Sequence, residues 1–273
     1  MIVDFHTHIF PDKIANKTVQ ILEKKANMPS HSDGTYDGLI SSMKRAGVEI
    51  SVNLPVLTSP SQFDSILKFA IELNEKIQSS DNGKERIISF AGMHPDIEEP
   101  EEKLRAIKDS GILGIKIHPD YQGTFFDDEK YVRILAEAKR LGLITVTHAG
   151  FDAGYPGEEI RCTPKRVMNL LDKIGGYDRL VLAHFGGNRL FSDVYEILAG
   201  ECVYFDTACV LGELSEKDFH KMLEKHGENK ILFATDSPWR DLTVDTNVIK
   251  RFALGSSVEE CVFWGNATEL LGI

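Results

Sequence analysis

Apolar residues in this chain come in short β-branched runs, each closed by a polar turn and followed by a stretch whose apolar positions recur every three or four residues. The runs cover residues 2–6, 50–54, 87–92, 114–118, 143–148, 180–184, 203–206 and 231–235. They are nearly continuous rather than alternating, as parallel strands covered on both faces are. Helices are predicted between them over 12–26, 36–46, 61–78, 98–109, 127–141, 163–174, 189–199, 215–225 and 244–252, with 257–271 closing the chain. Several open on Ser, Thr or Asp and several stop at Gly, the asymmetry that helix capping produces.

Strand followed by helix, eight times over 273 residues, predicts an α/β fold, a single (β/α)₈ TIM barrel, whose usual length is about 250 residues. A doubly wound open sheet is the alternative, but no strand is followed by a Gly-x-Gly-x-x-Gly turn. No Pro- or Ser-rich linker, internal repeat or low-complexity tract interrupts the pattern, so residues 1–273 read as one domain. The formal charge of −11 is spread along the chain and argues against nucleic-acid binding through a broad basic face. No apolar run approaches the roughly 20 residues of a membrane span. Cys162, Cys202, Cys209 and Cys261 lack Cys-x-x-Cys spacing and read as reduced, mainly buried thiols, consistent with a cytoplasmic protein.

Barrel enzymes carry their chemistry at the C-terminal strand ends, and there the sequence is unusual. Of nine histidines, six fall at those ends: His6 and His8 after the first strand, His94 after the third, His118 the fourth, His148 the fifth and His184 the sixth. Asp236 follows the eighth. His31, His220 and His226 lie in a loop or in and near a helix and read as surface residues. Side chains alternate along a strand, so His6 and His8 project from one side and offer two imidazoles to one divalent ion. A set of imidazoles converging with one carboxylate on a barrel mouth is hard to explain as packing.

These residues resemble the amidohydrolase superfamily of metal-dependent barrel hydrolases. The likeness runs from His6-Thr7-His8 through Thr147-His148-Ala149-Gly150 and His184-Phe185-Gly186-Gly187 to Thr235-Asp236-Ser237-Pro238-Trp239. It is most similar to the amidohydrolase-2 branch, which includes aminocarboxymuconate semialdehyde decarboxylase and various lactone and ester hydrolases. The resemblance implies that His6, His8, His148 and Asp236 ligate one divalent metal, usually Zn²⁺, with His184 as the catalytic histidine. A metal acidifies bound water to a pKa of about 7, so hydroxide would attack an ester, lactone or amide carbonyl while Asp236 accepts and passes on the proton. Non-oxidative decarboxylation of an unsaturated or aromatic acid uses the same ligands and is the nearest rival.

Lys116 shares a face of strand four with His118. In two-metal members of the superfamily a carboxylated lysine on that strand bridges the ions; a buried lysine neutralised by Asp4 or Asp236 is the simpler reading. His118, His94, Trp239, Arg240, Phe10 and Arg161 are candidates for the substrate side, and Tyr155–Glu159 for a covering loop. Gly92-Met93-His94-Pro95 and Thr235-Asp236-Ser237-Pro238 also resemble TatD-type deoxyribonucleases, which carry a glutamate where Lys116 stands. A barrel that keeps metal only for structure is the non-enzymatic alternative. The expected partner is a small-molecule substrate, with neither nucleic acid nor membrane; a homodimer is the family-level expectation.

Overall fold

The computed structural model describes residues 1–79 and 84–273. Eight parallel strands form the ring: β1 (Val3–Thr7), β2 (Ile50–Asn53), β3 (Arg86–Ser89, resumed past Phe90 by Ala91–Gly92), β4 (Gly114–Ile117), β5 (Ile144–Thr147), β6 (Leu180–Leu182), β7 (Tyr204–Asp206) and β8 (Ile231–Leu232). Each pairs in parallel with its sequence neighbours. The ring closes where Phe5 N donates to Phe233 O (2.9 Å), Asp236 N to His6 O (2.8 Å) and His8 N to Ser237 O (2.6 Å). The (β/α)₈ barrel expected from the strand–helix alternation is the fold.

The strands are short and wholly buried apart from Arg86 and Ile88 of β3. Ile115, Ile117, Leu180 and Leu182 pack against helix residues such as Leu104, Ile134, Leu135 and Leu170. Burial of each such side chain is worth roughly 1.5–3 kcal/mol, and this layer holds the helices to the ring. A second cluster joins Val3, Phe5, Val52, Phe90, Val146 and Val181 from around the ring with Leu270 and Leu271 of the last helix. No helix among the described residues is long and apolar enough to cross a membrane.

Helix ends follow the capping pattern. Thr35, Asp128, Thr163, Ser215 and Asp241 each accept a first-turn amide, and Gly47 and Gly175 close helices in the left-handed conformation. Two predicted helices differ. The segment expected over 189–199 is helical only over Phe191–Asp193 and then widens to a π turn, Val194–Leu198. The closing helix is likewise Ser256–Glu260, a π turn Cys261–Gly265, and Asn266–Leu271. There Phe233 N donates to Val262 O (2.9 Å), drawing that carbonyl out of the helix ladder, and a wider turn accommodates the diversion.

Two residue-level expectations are corrected. His226, read as a surface residue, is buried: its ring stacks on Phe205 (centroids 3.9 Å apart), its Nε2 bonds Val203 O (3.0 Å), and Gly200 N donates to its Nδ1 (3.1 Å). It ends a helix packed over β7, a tertiary contact its helical position alone does not reveal. Of the four free thiols only Cys162 is buried; Cys209 and Cys261 are half-buried and Cys202 is exposed.

Candidate active site

Two strands that are far apart in sequence and adjacent in the ring build the first histidine group. β1 carries His6 near its end and His8 just beyond it, and the turn after β8 carries Asp236. His8 Nδ1 lies 2.8 Å from Leu54 O; a carbonyl only accepts, so that nitrogen bears the proton. His6 Nδ1 lies 2.8 Å from Asp206 Oδ2, while Asp206 Oδ1 accepts the amides of His184 (2.9 Å) and Ala208 (3.1 Å). Both Nε2 atoms are therefore bare lone pairs, yet they face each other at 3.2 Å. Asp236 Oδ1 stands 3.0 Å from one and 3.5 Å from the other. Three electron-pair donors converge with no ring proton to share, and a divalent cation satisfies such a set. Lys116 Nζ donates to His6 Nε2 at 3.0 Å, so a second positive group stands at the same spot.

A second group comes from β4, β5 and the loops after them. His118 and His148 stack with centroids 4.3 Å apart and planes 11° from parallel. His118 Nε2 faces Asp152 Oδ2 at 3.4 Å, and its Nδ1 accepts Tyr121 N at 3.4 Å. His118, His148 and Asp152 lie close enough to hold an ion, as do His6, His8 and Asp236. The difference is that both nitrogens of His118 are already engaged by protein. His184 links the two groups: its Nε2 meets His148 Nδ1 at 2.9 Å and its ring centroid is 5.5 Å from that of His6.

Burial without full pairing shapes the charges. It drives His6 well below the ordinary imidazole range, with the Lys116 charge adding to the effect. Burial and then Lys116 push His148 down to about 3. Lys116 itself is lowered to about 8 by burial, against the pull of Asp206, Asp236 and Asp152. Asp4, expected as a neutralising partner, is not one: its carboxylate takes Thr235 N (3.0 Å) and Thr235 Oγ1 (2.6 Å), and burial raises it to about 7. Burial alone would also raise Asp236, but the imidazolium forms of His6, His8 and His184 outweigh it and hold the carboxyl well below its usual range, so a proton entering the cluster goes to a ring before it goes to Asp236.

Backbone strain falls at the same place. His184, Phe185 and Asp236 have φ of 57°, 58° and 73°, a left-handed conformation uncommon for residues other than glycine. All three follow strand ends, where strained residues of functional sites collect.

The remaining candidates separate. His94 is buried, but its Nδ1 accepts Asp96 N (3.1 Å), and among the described residues no hydrogen bond or ion pair joins it to the other histidines. Arg240 is held bidentately by buried Asp245 (2.6 and 3.2 Å), which ties up its fork. Arg161 pairs with Glu158 (2.9 Å) and approaches Asp120 (3.6 Å). Trp239 and Phe10 are half-buried. The loop after β5 brings Tyr155 edge-on to Tyr121 (5.2 Å), Tyr121 packs on His118 (4.6 Å), and Lys25 Nζ sits over both tyrosine rings (4.0 and 3.6 Å).

Sequence reasoning missed Asp206, Asp120, Asp152 and Cys209, whose Sγ donates to Asp236 Oδ2 at 3.2 Å. Asp206 ends a predicted strand, the one signal that could have singled it out. Asp120 and Asp152 lie in loops, and nothing local marks them.

The family model described as Amidohydrolase (Amidohydro_2) matches residues 3–273. No curated protein matches the chain. Among solved structures, an uncharacterised TIM-barrel protein from Bordetella bronchiseptica superposes with a TM-score of 0.76 at 14% identity, over 99% of this chain and 98% of that one. Dihydroxybenzoic acid decarboxylase from Polaromonas sp., bound to manganese and the inhibitor 2-nitroresorcinol, gives 0.72 at 14% identity, over 99% and 96%. 5-Carboxyvanillate decarboxylase from Sphingomonas paucimobilis gives 0.67 at 15%, over 100% and 99%.

Proposed function

The chain belongs to the amidohydrolase-2 family, and on that premise we propose that it is a divalent-metal-dependent enzyme acting on a small carboxylic acid, with non-oxidative decarboxylation as its reaction. His6, His8 and Asp236 are the core of the metal centre and His148 the fourth ligand. When bound, the ion supplies Lewis acidity, polarising the substrate's oxygens or acidifying a water.

The observation that carries the choice of substrate is Lys116. Its ammonium is buried and lies 3.0 Å from His6 Nε2. On the His6 side of the mouth a divalent ion and Lys116 outweigh the carboxylates of Asp236 and Asp206 by one positive charge; Asp152, the third carboxylate that Lys116 feels, lies across the mouth beside His118. That balance fits an anionic substrate, whereas an uncharged ester or lactone gains nothing from it. The fold's resemblance to decarboxylases of hydroxylated aromatic acids supports the same reading. In the reaction the bond from carbon to the carboxylate breaks, the electron pair stays on carbon and CO₂ leaves. The proton that replaces CO₂ comes from water and would be relayed to the carbon by His184 Nε2, which holds none of its own, and Lys116 holds the departing carboxylate. His118 and Asp152 face the substrate from the opposite side.

Hydrolysis of an ester, lactone or amide is the second reading. It is favoured by Asp236 being kept as a carboxylate, the state a base needs. One panel decides between them: hydroxylated benzoates, unsaturated acids, lactones and esters, incubated with metal-loaded enzyme and assayed for CO₂ and for acid. CO₂ from an acid substrate is expected. Acid from a lactone or ester with no CO₂ from any acid would reverse the order.

A further inference from the structure

Beside β5 lie three buried side-chain atoms that make no hydrogen bond: His148 Nε2, Asp120 Oδ2 and Arg161 Nη1. His148 Nε2 is 3.9 Å from Asp120 Oδ2, and Arg161 Nη1 is 3.6 Å from Asp120 Oδ1. Both gaps are too long for hydrogen bonds. A carboxylate, an imidazole and a guanidinium are natural partners, so their failure to close needs a cause.

Counting ring protons supplies one. His184 Nδ1 lies 2.9 Å from Ala208 O, and because a carbonyl only accepts, the His184 proton sits there and its Nε2 is bare. That bare nitrogen lies 2.9 Å from His148 Nδ1. Neutral His148 has one ring proton, and this contact is a hydrogen bond only if the proton is on Nδ1. Nε2 of His148 is then bare as well, and it faces the Asp120 carboxylate. Two acceptors repel, and the 3.9 Å gap follows.

We propose that His148 is a ligand that changes tautomer on metal binding, and that Asp120, balanced by Arg161, is its positioning residue. A divalent cation takes the Nδ1 lone pair, and the ring proton passes to Nε2, where Asp120 Oδ2 accepts it in a hydrogen bond. One proton leaves one nitrogen and one arrives at the other, so the ring stays neutral and Asp120 stays a carboxylate. Oriented in this way, the imidazole is a stronger ligand. His6 already has such a carboxylate in Asp206 at 2.8 Å; for His148 the equivalent contact forms only with the ion. This deepens the metal-centre reading above and rests on it.

The test is ¹⁵N–¹H correlation of histidine ring nitrogens in the full chain, without and with Zn²⁺, His148 being assigned from the spectrum of His148→Gln. His148 is expected to carry its proton on Nδ1 without the ion and on Nε2 with it. Zn²⁺ affinity, measured by chelator competition, is expected to fall roughly 10–100-fold in Asp120→Ala, and Asp120→Asn, whose amide oxygen can still accept, to recover part of the loss. If Zn²⁺ binds the unaltered chain and His148 keeps its proton on Nδ1, the proposal is overturned while the metal centre stands. Undiminished affinity in folded Asp120→Ala overturns it equally. If the unaltered chain binds no Zn²⁺, the metal-centre reading falls and takes the proposal with it. The tautomer is read on the unaltered chain, so a variant that fails to fold does not remove the test.

Discussion

His6, His8 and Asp236 on one side of the barrel mouth, and His118, His148 and Asp152 on the other, have the same composition and comparable burial. They differ in what their nitrogens already do. Each Nδ1 of the first pair is occupied by an acceptor behind it, Asp206 Oδ2 or Leu54 O, so both lone pairs are aimed at one point. His118 has protein on both nitrogens, so its contacts hold without an ion. What makes a histidine cluster a metal site is the partner behind each ring as much as the ring itself.

The sharpest way to break this comparison is to delete one residue from each side, leaving His148, the fourth proposed ligand, in place. His6→Ala or Asp236→Ala is expected to abolish bound divalent metal, and activity with it, whereas His118→Ala keeps the metal. Elemental analysis of the purified variants measures this, and equal loss on both sides would make the groups equivalent.

Next in size is a pH effect at His226, a histidine that, like His118, has both nitrogens engaged. Burial lowers it from 6.5 to about 4. Above pH 6.5 it is neutral both folded and unfolded, and its contribution is complete. As pH falls from 6.5 towards 4 the unfolded chain takes up a proton that the folded chain refuses, so stability declines by on the order of 3 kcal/mol. Urea unfolding across that window should show a shallower pH dependence in His226→Gln than in the unaltered protein; identical slopes would refute the assignment.

In Asp206→Asn the single amide oxygen is claimed by the amides of His184 and Ala208, which turns the NH₂ group towards His6 and should weaken metal affinity roughly 10–100-fold with the metal still bindable at high concentration. The same substitution at Asp152 should leave metal affinity unchanged and raise KM alone. A chelator titration of both variants would expose the comparison as wrong if Asp152→Asn were the weaker binder.

How much of this was legible in the sequence depends on distance along the chain. Continuous β-branched runs and helix caps are local signals, and they placed the strands and most helices within a few residues. The π turns were not legible, because the cause of the second, Phe233 N on Val262 O, joins residues that only the fold makes neighbours. The ligand candidates were legible because barrel geometry turns strand ends into a single surface, so five of the six strand-end histidines and Asp236 could be brought together on it unseen, with His94 standing apart.

Their partners could not. Asp206 meets His6 from 200 residues away, Asp120 and Asp152 sit on loops whose paths depend on packing, and Asp4 looks like a partner for Lys116 until Thr235 is found to occupy it. The chain alone determined the barrel and the inventory of imidazoles at its mouth, since hydrophobic period and chain order suffice for both. Tertiary structure alone decided which nitrogen of each imidazole is bare, because a proton's place on a ring is set by the acceptor that happens to lie behind it.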